Sequence, residues 1–317
     1  MGVPLFFIIS AFSMSLAYRG GIGDGASALR YALRRIFRIA PLFYLMLAAW
    51  LAYYAYLGSP FQGFGTLLSN LTLTFGITQN GIVPAGWSIG IEMLFYALFP
   101  FLILWRGFVS AGVLLVLGLI GAWAISRVEV APFDFYHWTH PLTGAPYFAL
   151  GLLAWRIYAA LQDRRRDRLA HVLLAGGVAL LCALVIWGPP MPEVRDPVPL
   201  ALICGWGMAF FLIVLSQALS PVRLIDNGLT RYLGRISYSL YLCHPLVIYG
   251  SGIPLHVAAL AGDPLAVAIA APLAAIALSL PPAILLYHAV ERPFIALGRR
   301  LTSERAGAGP ATPLAQA

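Results

Sequence analysis

Apolar residues in this chain come in long unbroken runs, separated by short stretches that carry charge, proline or glycine. Neither the two-residue alternation of a half-exposed strand nor the one-sided stripe of a surface helix dominates. Runs near 3–18, 39–57, 87–104, 108–125, 143–160, 170–187, 199–218, 237–254 and 266–288 approach the roughly 20 residues that a helix needs to cross a hydrocarbon core. The pattern predicts an all-α integral membrane protein, a bundle of about nine transmembrane helices. The stretch Gly65–Phe75 predicts an interfacial or re-entrant helix. Residues 1–302 read as one membrane domain, and 303–317, rich in Ala, Gly and Pro, as a disordered cytoplasmic tail.

Composition names the solvent. The chain is 61% hydrophobic and 10% charged, where a soluble domain carries about 25% charged residues. Twenty Arg and no Lys oppose twelve acids, for a net charge of +8. A nucleic-acid partner would need those Arg gathered on a soluble face; they lie instead in short clusters between apolar runs. With nine spans, eighteen Arg fall on one side and two, Arg127 and Arg195, on the other, while loop 58–86 has no charge at all. The positive-inside rule then places the basic loops and the C-terminus in the cytoplasm. Cys182, Cys204 and Cys243 lack metal-ligand spacing and read as small buried hydrophobes.

Few polar residues interrupt the spans. Glu92, about one turn inside its helix, is the sharpest, because a carboxylate in a membrane span costs a few kcal/mol unless it faces a partner or cavity. Arg35 and Arg38 share a helix face at a membrane entrance, a geometry that binds phosphates and also serves as a topology anchor or lipid contact. His244, preceding Pro245, is either an acid–base group or a hydrogen-bonded bundle residue. Ser10 lies in an aromatic helix where small residues also serve packing. His137 and His140 have no partner ligands at metal spacing, so no metal site is predicted.

Taken together these segments resemble the acyltransferase-3 family of membrane acyltransferases. Phe6-Phe7-Ile8-Ile9-Ser10-Ala11-Phe12 is similar to its FFxxSGF segment, with Ala11 in place of Gly; Arg35 and Arg38 with Pro41 and Tyr44 resemble its RxxR…P…Y signature. Trp87-Ser88 with Glu92 is similar to WSLxxE, Ser237-Tyr238 through His244 to GxxSYxLYLxH, and Glu291-Arg292-Pro293 to the closing ERP. The resemblance implies transfer of an acyl group, acetyl foremost, from cytoplasmic acyl-CoA to a hydroxyl of an extracytoplasmic acceptor, most simply a carbohydrate, at the bacterial inner membrane. It implies acyl-CoA as co-substrate with no permanently bound cofactor, Arg35, Arg38 and Tyr44 at the donor, and Glu92 with His244 at the chemistry. It also implies a further span, bearing an Arg and a catalytic His, ahead of Met1. The rival expectation from the same residues is a transporter or exporter in which Glu92 and His244 relay protons.

Overall fold

A computed structural model describes residues 2–104, 108–129, 136–162, 166–188, 198–253 and 263–303. Arg106, Asp134, Arg164, Arg165, most of the 188–198 loop and the tail from 304 onward lie outside them. The elements are α1 (Gly2–Ala17), α2 (Gly25–Tyr56), α3 (Phe64–Leu71), α4 (Phe75–Thr78), a 3₁₀ turn (Pro84–Gly86), α5 (Trp87–Leu104), α6 (Phe108–Ile125) and α7 (Tyr136–Thr139). They continue as α8 (Pro141–Leu161), α9 (Asp167–Trp187), α10 (Leu200–Leu219), α11 (Gly228–Ser251), α12 (Pro264–Leu286), a π turn (Tyr287–Glu291) and α13 (Arg292–Thr302). No strand occurs among the described residues.

Each predicted span falls on a helix, and six helical stretches are long and apolar enough to cross a bilayer: Gly25–Tyr56, Pro84–Ile103, Phe108–Ile125, Asp167–Trp187, Leu200–Leu219 and Ala266–Thr302. The other three of the nine fall on α1, which is apolar but only 16 residues long, and on α8 and α11, which have the length but a more polar composition. The helices divide by surroundings. α8 is buried from Thr143 to Trp155 on nearly every side, whereas α9 is the most apolar, mean hydropathy 2.5, and buries only 11% of its apolar window. In lipid an outward face is as apolar as a core, so hydropathy alone does not separate the two. That is why Cys182 and Cys204 turn out exposed on the bundle surface, and only Cys243 is buried as the sequence suggested.

Two helices begin well before the predicted spans because their first turns are capped. Asp24 accepts from the Ser27 amide at 2.7 Å while Ser27 Oγ accepts from the Asp24 amide at 3.1 Å, which starts α2 ahead of its apolar run. Asn227 and Thr230 form the same reciprocal box at α11. α2 thus carries Arg30, Arg34, Arg35 and Arg38 on helix rather than loop, and Arg34 Nε donates to Thr302 Oγ1 at 2.8 Å, tying α2 to α13.

The predicted interfacial segment becomes α3 and α4, folded back on α5. Asn70 is fully buried: its Nδ2 donates to the carbonyls of Thr66 and Asn80, and its Oδ1 accepts from the Ile82 amide at 3.0 Å. Phe75 stacks on Phe43, ring centres 5.1 Å apart. At α1 and α8 a Cβ on Gly151 would lie 2.3 Å from the Ile8 carbonyl oxygen and 2.6 Å from Ala11 Cβ. The two helices therefore cross nearly backbone to backbone, which fixes the depth and facing of the residues around Ile8.

Candidate active site

α5 is apolar except for Ser88, Glu92 and Tyr96. Their spacing of four puts them on one helix face, and that face points into the bundle. Glu92 is 3% exposed, a burial that an ionised carboxylate tolerates only with donors to hand. Ser10 Oγ of α1 donates to Glu92 Oε1 at 2.7 Å, and the Tyr96 hydroxyl donates to the same oxygen. Ser10 and Tyr96 hydroxyls are 3.0 Å apart, closing a triangle around Oε1. Oε2 receives neither bond. The α1–α8 crossing at Gly151 is what brings Ser10 to this depth.

Below Glu92 the site turns cationic. The Arg35 guanidinium lies over the Tyr96 ring, 5.2 Å from its centre, and 5.9 Å from that of Tyr31. Tyr31 Oη donates to the Tyr96 carbonyl at 2.9 Å, holding α2 against α5. Arg35 Nε is a buried donor without a partner, whereas Arg38, one turn on, is exposed. Both cations act electrostatically on Glu92, and Arg38 acts on Glu291 as well. Tyr44 does not join them: its hydroxyl donates to the Leu71 carbonyl at 2.6 Å and pins the end of α3.

α11 supplies the opposite wall. Ser88 Oγ donates to Tyr241 Oη at 2.8 Å, and Tyr238 Oη donates to the Ile39 carbonyl of α2 at 2.8 Å. Ser237 is exposed and donates to its own helix at Gly234. Ser239 is fully buried and donates to Glu291 Oε2 at 2.6 Å. Pro293 cannot continue the regular helical ladder, and the chain widens into the π turn Tyr287–Glu291 just before it, which turns Glu291 inward against α11. Ser88, Ser237, Tyr238 and Tyr241 face Val3 and Phe6 across a cavity of about 380 Å³.

Residues 1–288 match the acyltransferase domain of the acyltransferase-3 family. The chain belongs to that family. This acyltransferase is 29% identical over 341 aligned residues to the exopolysaccharide production protein ExoZ of Rhizobium meliloti (strain 1021), an alignment that covers 96% of this chain and 93% of that protein. No solved structure matches it.

Within the acyltransferase, His244 stands apart from Glu92. Its Nδ1 lies 2.7 Å from the Tyr241 carbonyl, which can only accept, so Nδ1 is the donor in that bond. Among the described residues, the side-chain hydroxyls and carboxylate of Ser10, Glu92, Tyr96, Ser88 and Tyr241 share no hydrogen bond with its ring, though the Tyr241 ring lies 5.7 Å from it, centre to centre. His137 and His140 serve the backbone: His137 Nε2 donates to the Val128 carbonyl at 2.9 Å, and His140 Nδ1 accepts from the Leu142 amide, capping α8. Burial holds the His140 imidazole below its ordinary pKa, which suits an acceptor role.

Of the residues that the sequence singles out, Ser88, Ser237 and Tyr238 line one cavity, Ser10 meets Glu92 one turn from Ser88, and Arg35 lies over Tyr96. Trp87 borders a second, smaller chamber. Tyr31 and Tyr96 have no role in the sequence reading, and Ser239 and Tyr241 enter it only as members of the segment from Ser237 to His244. The four-residue spacing from Ser88 through Glu92 to Tyr96, and from Ser237 to Tyr241, was the available signal.

Proposed function

We propose that this membrane acyltransferase moves an acyl group, acetyl in the simplest case, from acyl-CoA to a hydroxyl of a carbohydrate acceptor at the bacterial cytoplasmic membrane. The carrying observation is Glu92: a buried carboxylate with Oε1 held by Ser10 and Tyr96 and Oε2 outside both bonds, one helical turn from Ser88, which lines the cavity. The name of the ExoZ relative, an exopolysaccharide production protein, supports a polysaccharide acceptor. In the proposed reaction the acceptor hydroxyl attacks the thioester carbonyl, a base takes its proton, the carbon–sulfur bond breaks, and CoA leaves as the thiol. Glu92 orients that base and balances its positive charge through Oε2. The donor's phosphates meet Arg38 at the surface and the buried, unpartnered Arg35 donor beneath it.

Two outcomes test the arrangement. Arg38→Glu is expected to raise KM for acetyl-CoA about tenfold with kcat within about threefold of the parent, the pattern of lost ground-state binding. Arg35→Ala, which also strips the Tyr96 ring of its cation, is expected to lower kcat as well. Equal KM values for parent and Arg38→Glu would remove the phosphate assignment. For topology, single cysteines at Gly63 and Gln162, in a background lacking the three native cysteines, are expected to label from outside and only after permeabilisation, respectively. Labelling of position 162 in intact cells would overturn the orientation.

A further inference from the structure

A second chamber, about 120 Å³, lies across the first turn of α1 from the hydroxyl-lined cavity, with Val3 bordering both. The Trp87-Ser88 pair divides between them, Trp87 lining this chamber and Ser88 the other. Three indoles line it, Trp87, Trp138 and Trp206, with the Tyr147 ring and the Thr143 hydroxyl. It sits where α1, α5, α8 and α10 all begin, the end of the bundle away from Arg30, Arg34, Arg35 and Arg38.

Tryptophan near a membrane boundary is ordinarily a belt residue facing lipid. Trp187 and Trp123 are of that kind, 79% and 51% exposed. Trp206 is 9% exposed, and its Nε1 is a buried donor with no partner. Trp206 instead packs inward, where it borders the chamber. The fold builds this contact deliberately: a side chain on Gly207 would meet Leu150 at 2.9 Å and the Tyr147 ring at 3.4 Å, so glycine there lets Tyr147 lie against α10 beside Trp206.

The chamber's chemistry limits its occupant. Among the described residues no charged side chain lines it, while Trp, Tyr and Thr side chains do, which distinguishes it from the apolar groove that Trp206 borders with Leu181, Val185 and Ile186. At the 10–15 Å³ that one water requires by this measure, the volume holds on the order of ten small groups, close to the heavy atoms of one sugar ring and too small for a chain. A pyranose offers an apolar C–H face to an aromatic ring and hydroxyls at its rim to N–H and O–H groups.

We infer that this chamber is the acceptor subsite, taking one neutral pyranose ring against Trp138 and Trp206 so that a ring hydroxyl reaches over Val3 toward the Ser88 and Glu92 face. The inference rests on the carbohydrate-acceptor reading above. Saturation-transfer NMR on the full chain in nanodiscs, with methyl gluco-, galacto- and mannopyranosides as probes, tests it without requiring turnover. Saturation is expected on the C–H protons of one ring face for at least one glycoside. Trp138→Leu and Trp206→Leu should weaken its binding about tenfold each, the scale of one aromatic contact, and Trp206→Phe should retain the facial pattern with partial loss. Trp187→Leu, on the lipid side, should leave binding unchanged. No saturation of any glycoside in the parent, or equal binding in parent, Trp138→Leu and Trp206→Leu, would overturn the subsite. Acetyl-CoA consumption is measured separately: its absence beside intact glycoside binding would remove the donor reading and leave the subsite standing.

Discussion

Glu92→Gln is expected to lower kcat for acyl transfer by about 100-fold or more, the scale of lost acid–base assistance, while KM for acetyl-CoA changes little. The amide has the same shape as the carboxylate, so Ser10 still finds an acceptor at Oε1 and the α1–α5 contact survives. What disappears is the negative charge between two hydroxyl donors and the two arginines that act on it. A base taking a proton beside Glu92 then carries its positive charge in a buried site with nothing to balance it, and an unbalanced buried charge is worth several kcal/mol. Glu92→Asp keeps the charge but withdraws it from Ser10 by one methylene, so partial recovery is expected. Tyr96→Phe removes one of the two donors yet leaves an aromatic ring under Arg35, and an intermediate loss is expected. CoA release from acetyl-CoA, with folding of each variant checked by thermal denaturation, gives the comparison. Parent-like turnover by Glu92→Gln would sink the assignment of Glu92 to the chemistry.

The spans were legible because lipid demands long apolar helices, and nothing else in a chain this poor in charge satisfies its backbone. Their extent was less so. Asp24 and Asn227 start α2 and α11 through capping boxes that lie in polar sequence, outside any hydropathy signal. Glu92 stands out because a lone carboxylate in an apolar run is unfavourable; which hydroxyls reach Glu92 and Ser88 does not, because Ser10 and Tyr241 come from other helices whose facing is set by packing. The Tyr44 outcome has the same origin. Spacing along α2 groups it with the arginines, but the return of α3 places the Leu71 carbonyl in front of it. Ser237 and Ser239 are two apart on one helix and so face different ways; only the π turn at Glu291 decides that Ser239 is the buried partner. Residue type announces which groups need partners, and helix crossings determine which they get.

Another close helix contact yields the second large effect. Gly90 and Gly76 meet backbone to backbone: a Cβ on Gly90 would lie 2.6 Å from the Gly76 nitrogen and 2.7 Å from its Cα, and one on Gly76 would lie 2.3 Å from the Gly90 carbonyl carbon. A flexible side chain could yield to a new methyl, but two backbones held by their own helices cannot. Gly90→Ala therefore forces α4 off α5, opening the Phe43–Phe75 stack and shifting the first turns of α5, where Glu92 lies two residues on. Overpacking of this kind costs about 1–3 kcal/mol, and a displacement near 1 Å at a reacting group costs about 100-fold in rate, so activity should fall further than stability. Gly76→Ala should behave alike. Once the backbones have parted, the second methyl enters space already opened, so the double variant should be little worse than either single one, a strongly non-additive cycle. Gly112→Ala is the control, since nothing lies within 4 Å of a Cβ there and alanine favours its helix. If Gly90→Ala melts and turns over like Gly112→Ala, the loop is not seated on α5 by this contact, and the position of Glu92 must be fixed by Ser10 and Tyr31 alone.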